Sequence, residues 1–167
     1  MFRDAQPQDR AEFLRLFEEY VEELKLYGGE MEPDLDTLRS ARSLFDSYVD
    51  GALPGVCVLF DPPGEGLQGF TLVGAESGNP VFPKRKFGKL AIAWAIYLQP
   101  KWRKRNVAQS IWVNTGKKLV ALRFDTLMGD ILVENKVSQA ACAGVGWEPH
   151  SVNYVRDLRE WDHGSGR

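Results

Sequence analysis

The sequence predicts an α/β (α+β) domain, a mixed and mostly antiparallel sheet of about six to seven strands flanked by about four helices. Three observations predict it. Two amphipathic helical stretches come first, ahead of any long strand pattern. After Pro54 the texture changes to short apolar runs separated by turns rich in glycine and proline. Residues 90–133 then read as strand, basic turn, helix and strand, which needs a crossover and hence a parallel pair. A chain of 167 residues can bury one full core, so 1–167 is a single domain, with a polar tail over 161–167 expected to fray.

Residues 2–5 read as a short first strand. Gln6-Pro7 suits a helix start, because proline is tolerated at the first helical position. Phe13, Leu16, Phe17, Tyr20, Val21 and Leu24 recur at helical spacing, and Gly28-Gly29 ends that element. Asp34 or Asp36 caps a second helix, whose apolar face is Leu38, Ala41, Leu44, Phe45, Tyr48 and Val49. Residues 56–60 form a buried strand, and 67–75 return after a dense turn at Asp61-Pro62-Pro63-Gly64-Glu65-Gly66. A loop over 76–89 carries Lys84, Arg85, Lys86 and Lys89, and 90–98 is the central strand. A helix over 107–122 follows, then a strand near 125–133 interrupted by Gly129. Asn135 opens a short helix, Gly146-Trp147 marks its exit, and 152–158 reads as a last strand.

Composition bounds the function. Hydrophobic residues are 44% and charged residues 26%, the balance of a globular protein in water. A net charge of −2 argues against a dedicated nucleic-acid binder. No apolar run is long enough to span a bilayer, and Met1-Phe2-Arg3-Asp4 leads into a polar helix with no signal-peptide core. Two cysteines, Cys57 and Cys142, fit free thiols in a reducing compartment, so a cytoplasmic protein is expected, with no metal site.

The run from Tyr97 to Ala108 (Tyr-Leu-Gln-Pro-Lys-Trp-Arg-Lys-Arg-Asn-Val-Ala) is the most informative stretch. It ends an apolar strand, turns at Pro100, gathers Lys101, Arg103, Lys104 and Arg105, and opens a helix. That order of parts suits a pyrophosphate, because the first N–H groups of a helix point outward unpaired and the helix dipole favours an anion there. The same order also describes an ordinary strand, basic turn and helix.

Leu98, Pro100, Trp102 and Arg103 resemble the hydrophobic-x-Pro-x-aromatic-Arg segment of the GNAT acetyltransferases. Arg103-Lys104-Arg105-Asn106-Val107-Ala108 is similar to that family's Arg/Gln-x-x-Gly-x-Gly/Ala turn, with Asn106 where glycine is usual. Asparagine tolerates positive φ better than most residues. A second resemblance is Asn135-x-x-Ser138 followed by Cys142 and Gly146-Trp147, where the family has Asn-x-x-Ala/Ser, a tyrosine and Gly-Phe. The resemblance implies a GNAT-like fold and an acetyl-CoA co-substrate. It implies that backbone groups of Tyr97 and Leu98 hold the pantetheine and that the amides of Arg105, Asn106, Val107 and Ala108 hold the phosphates. Arg103, Lys104 and Arg105 would add charge, and Asn135 and Ser138 belong to the cofactor side.

The reaction implied is direct acetyl transfer to a primary amine. It needs a neutral amine, a donor for the oxyanion, and a proton or other stabilisation for the departing thiolate. Cys142 stands where the family's proton-donating tyrosine usually is, and it reads either as that donor or as a small buried hydrophobe. The central strand holds no carboxylate, so Tyr97, Glu134 and Tyr154 are the other candidates, each with a plain packing or helix-start alternative. Trp94 and Trp112 either line the acceptor site or fill the core. Glu18, Glu19, Glu22, Glu23, Glu30, Glu32, Asp34 and Asp36 form either a rim attracting a cationic amine or a solvated helix face. Two rivals stand beside this reading: a catalytically degenerate CoA-binding module that recognises a partner, and a nucleic-acid module using Arg85, Lys86, Lys101, Arg103, Lys104 and Arg105. Monomer and homodimer are both open.

Overall fold

The computed structural model describes residues 1–28, 32–75, 88–103 and 106–149. Its elements follow the expected order: β1 (Phe2–Asp4), α1 (Arg10–Leu24), α2 (Leu35–Val49), β2 (Gly55–Phe60), β3 (Gly69–Ala75), β4 (Leu90–Leu98), α3 (Val107–Ala121), β5 (Thr126–Gly129) and α4 (Lys136–Ala143). One sheet runs β1-β2-β3-β4-β5, antiparallel from β1 to β4 and parallel between β4 and β5. Five strands are fewer than the six to seven expected; the strand expected over 152–158 lies outside the described residues. No helix of the described residues is long and apolar enough to cross a membrane.

Local chemistry sets the helix starts. Pro7 opens a short 3-10 turn ahead of α1, and the Asp9 carboxylate accepts the Gln6 N–H at 2.8 Å. The Arg3 guanidinium grips the same carboxylate at 2.6 and 2.8 Å and holds it below the usual carboxylate range. Asp34 caps α2 by accepting the Thr37 N–H at 2.8 Å, and Gly28 leaves the first helical segment with φ of 79°.

The sheet is buried on both faces. Cys57 and Leu59 of β2 meet Phe13, Leu16, Val21 and Phe45 of α1 and α2. Their neighbours Val56, Val58 and Phe60 meet Val107, Ile111 and Leu119 of α3. Apolar residues in both alternating sets make the run continuous, as expected for a strand covered twice. Between β3 and α3 the buried hydroxyls of Thr71 and Thr115 share a hydrogen bond of 2.8 Å.

The feature that shapes the function is an irregularity in β4. Leu72 pairs with Ala95 and Val73 with Ala93, so Trp94 is one extra residue, a β-bulge. The bulge shifts the alternation. Ala91 and Ala93 lie with the α3 core, whereas Ala95 and Tyr97 lie with the α1 and α2 core. Strand β5 ends at Gly129, opposite Ala93, and is shorter than the expected 125–133. The parallel pairing stops one residue before the bulge, where the ladder is locally disrupted. From Trp94 to Leu98 one edge of β4 therefore has no partner strand among the described residues.

The Thr115→Val variant should lose about 1–3 kcal/mol of stability, because it strands the buried Thr71 hydroxyl. Adding Thr71→Val should recover part of that loss. Urea unfolding of the two variants checks both signs.

Candidate functional site

Three neighbouring pieces make the candidate site: the open edge of β4, the turn that follows it, and the start of α3. Strand β4 stops at Leu98. Gln99 still bonds back to the sheet, its N–H reaching the Gln68 carbonyl at 2.8 Å, and a 3-10 turn over Pro100–Trp102 then swings the chain off the sheet. Asn106 precedes α3 in the left-handed region, with φ of 57° and ψ of 14°. This is a backbone that glycine adopts freely, and asparagine reaches it at low cost. Unlike Asp34 and Asn135, the Asn106 side chain makes no cap hydrogen bond to its helix, and the first turn of α3 carries no acidic residue. The opening amides of α3 thus face no carboxylate of their own helix.

The side chains tell a different story from the one expected. Arg103 does not turn toward α3. Its Nε donates to the Leu98 carbonyl at 2.8 Å, and its two terminal nitrogens fork onto Glu23 of α1, one at 2.7 Å. Its guanidinium also stacks over the Tyr97 ring, 5.5 Å from the centroid. Three of its five N–H donors are engaged within the protein, so Arg103 clamps α1 to the end of β4. Lys101 pairs with Glu65 at 2.6 Å. Lys89 reaches the Leu122 carbonyl at 2.9 Å and covers the Phe124 ring at the C-terminal end of α3. Lys84, Arg85, Lys86, Lys104 and Arg105 lie outside the described residues. The cations expected to form a nucleic-acid patch are thus, where described, engaged by the protein itself.

Tyr97 points into the α1 and α2 core and is 7% exposed. Its hydroxyl donates to Glu19 at 3.1 Å, and the same carboxylate accepts from the Gln99 side chain and from Arg15. Burial, then the Glu19 charge and hydrogen bond, push the phenol up to about 12. At neutral pH it is a fixed donor and not a base. Leu98 is buried in the core under α3. Val107 and Ala108 pack there as well, leaving only their backbone for a ligand.

Cys142 is 5% exposed, set among Ile111, Trp112 and Leu119, and burial raises its thiol. Its place in the core fits the reading of Cys142 as a small buried hydrophobe. Asn135 accepts the Ser138 N–H at 3.0 Å, so these two residues act together as the cap of α4. Glu134 is exposed just before that cap. Tyr154 and His150 lie outside the described residues. Trp112 belongs to the core and packs on Trp147 at 4.9 Å, whereas Trp94 is 46% exposed. Much of the acidic rim is internally paired: Glu22 and Glu32 with Lys25, Asp36 with Arg39, and Glu19 and Glu23 as above. Glu30 lies outside the described residues.

Glu19, Glu23 and Tyr48 are the residues whose importance sequence reasoning did not reach. Glu19 and Glu23 are one helical turn apart, which marks a shared face, but their partners lie about eighty positions away and leave no local sign. A separate groove of about 420 Å³ lies between Asp4, Tyr48, Cys57 and Lys118. It opens at the C-terminal end of α3, the opposite end from Asn106.

No protein-family model matches the chain, and no curated protein matches it. Solved structures do. An aminoglycoside 6'-N-acetyltransferase from Acinetobacter baumannii aligns with a TM-score of 0.69 at 11% identity, over 94% of this chain and 97% of that one. The aminoglycoside acetyltransferase AAC(6')-Iy, solved with a bisubstrate analogue of CoA and acetylneamine, gives 0.69 at 14%, over 94% and 97%. A predicted acetyltransferase from Clostridium acetobutylicum, solved with acetyl-CoA, gives 0.73 at 14%, over 98% and 99%. The chain has the GNAT fold.

Two outcomes follow from the clamp. Glu23→Gln and Arg103→Lys should each destabilise the protein. In a double-mutant cycle read by urea unfolding, their effects should couple by about 1–2 kcal/mol. Because Tyr97 ionises higher in the folded chain than the ordinary value of 10, its share of stability is intact below pH 10 and declines as pH rises toward about 12. Comparing alkaline unfolding of wild type and Tyr97→Phe checks that sign.

Proposed function

We propose that this protein binds acetyl-CoA along the open edge of β4 and transfers the acetyl group directly to a primary amine. The observation that carries the proposal is the continuity of parts. A strand edge from Trp94 to Leu98, unpartnered among the described residues, runs into a turn, a left-handed Asn106 and an acid-free helix start. An extended pantetheine can complete such an edge by main-chain hydrogen bonds, as an added strand would. The helix start supplies amides and a positive dipole for a diphosphate. The likeness to structures solved with CoA, acetyl-CoA and an aminoglycoside-derived analogue supports both the donor and an amine acceptor.

In the reaction, the neutral amine nitrogen attacks the thioester carbon. The N–C bond forms, the C–S bond breaks, and the proton shed by nitrogen ends on the departing thiolate or in solvent. The protein contributes mainly geometry. The main-chain N–H groups of the β4 edge polarise the carbonyl, and orienting donor and acceptor lowers the barrier without a dedicated base. Tyr97 holds the edge in place through Glu19 and offers no basic site. Asn106, Val107 and Ala108 hold phosphate through their backbone. Lys104 and Arg105 add positive charge. Glu134 and Tyr154 are further candidates for assisting proton transfer, and Asn135 and Ser138 for contacting the cofactor.

A second reading, a CoA-binding domain without turnover, is favoured by the absence of a strand carboxylate and by the burial of Cys142. Thiol release from acetyl-CoA with a panel of amines separates the two: turnover supports the first, tight binding without turnover the second. Asn106→Asp should weaken CoA binding by about tenfold or more in calorimetry, since it sets a carboxylate beside the phosphates. Unchanged affinity would displace the anion site from α3.

A further inference from the structure

Of the large hydrophobic side chains exposed among the described residues, Trp94 is the only aromatic one. Its position is singular. It is the bulged residue of β4, the first beyond the last pair with β5, and so stands at the fork of the sheet. Its orientation is fixed, because the indole N–H donates to the Tyr48 hydroxyl at 3.0 Å. Tyr48 is fixed in turn by a floor of two glycines. A Cβ on Gly74 would lie 1.8 Å from the Tyr48 hydroxyl oxygen, and one on Gly55 would lie 2.6 Å from its ring. Two glycines facing each other across β2 and β3 therefore admit a tyrosine that pins one indole. The outcome is a rigid aromatic surface that stays 46% open to solvent. An exposed tryptophan gains nothing for the core from such pinning.

The faces of the sheet decide what could meet it. Helix α3, whose start holds the diphosphate in the reading above, covers one face. Tyr48 of α2 and Tyr97, with the core of α1 and α2, belong to the other. In the reading above the donor lies against the α3 side of the fork, which leaves the opposite side to the acceptor. An attacking amine must come from there, the side on which Trp94 is tied to Tyr48.

We infer that the Trp94 indole is the acceptor platform, a specificity-determining surface for a primary ammonium compound carrying a ring or other apolar body. The body lies flat on the indole, and the electron-rich face attracts the ammonium before it sheds its proton. This inference rests on the acetyltransferase reading. It goes further in naming which acceptors the protein favours: those with a body broad enough to cover an indole, over short alkylamines.

Kinetics and NMR test it independently. With tyramine and kanamycin as acceptors, Trp94→Ala should raise KM by about tenfold, the equivalent of about 1.4 kcal/mol. KM for acetyl-CoA and for propylamine should stay within about twofold, and Trp94→Phe should restore most of the loss. The indole N–H resonance of Trp94, assigned by its absence in Trp94→Phe, should shift saturably with tyramine or kanamycin and not with propylamine. An unchanged acceptor KM in Trp94→Ala, or an equal rise for all substrates, overturns the platform. So does an indole signal indifferent to all three amines. If the wild type ignores CoA, the acetyltransferase reading fails, and the indole titration still decides the platform.

Discussion

The insertion of Trp94 into β4 governs the rest of this architecture. Without it, β4 and β5 could pair to the end of the central strand, and the sheet would have no opening. With it, the ladder ends at Ala93 and Gly129, and five residues of main chain are left along one edge. The same insertion turns Ala95 and Tyr97 to the face of α1 and α2, away from the face that Ala91 and Ala93 share with α3. One extra residue thus creates a vacancy in the hydrogen bonding and decides which side chains flank it. An exposed sheet edge in a buried-sheet fold is a liability unless it is used or covered.

An edge without a partner strand must be held by something else. Here the support comes from α1. Glu19 takes the Tyr97 hydroxyl and the Gln99 amide, and Glu23 takes Arg103, which in turn holds the Leu98 carbonyl. The two acids sit one turn apart and reach successive points at the strand end, so the end of β4 is fixed to a rigid helix. Arg103 is thereby tied to the strand end. The backbone amides and dipole of α3 supply a positive potential that does not titrate and costs no side-chain ordering.

Much of the fold was legible because its signals are local. The central strand over 90–98 matches its structure to the residue, and of the two cap candidates before the amphipathic run, Asp34 and Asp36, it is Asp34 that makes the bond. The left-handed backbone of Asn106 was readable from the resemblance, which has glycine at that place, and from asparagine's tolerance of positive φ. Strand β5 was overextended, because nothing in 130–133 announces that its partner bulges forty positions earlier. The site was legible at the level of the backbone and not at the level of side chains. A basic run such as Lys101 to Arg105 shows where cations are, but their partners, Glu65 and Glu23, are set by tertiary packing. The sequence favours Trp94 as core over site, and it is half exposed instead, since an apolar strand conceals a bulge within it.

The central strand carries no carboxylate, which constrains how the proposed acetyl transfer can proceed. The candidate phenol is held neutral by burial and by a carboxylate that already accepts three donors. A base that must first break such bonds is a poor one, so the chain's own groups favour positioning over proton abstraction. A primary amine is mostly protonated at neutral pH, so the reactive fraction is small. The rate then depends on how often the neutral form stands in line with the carbonyl. Under that regime a fixed surface that lengthens the residence of the acceptor contributes directly to turnover. A rigid indole at the fork contributes more than a mobile one, because less ordering is left to complete on binding.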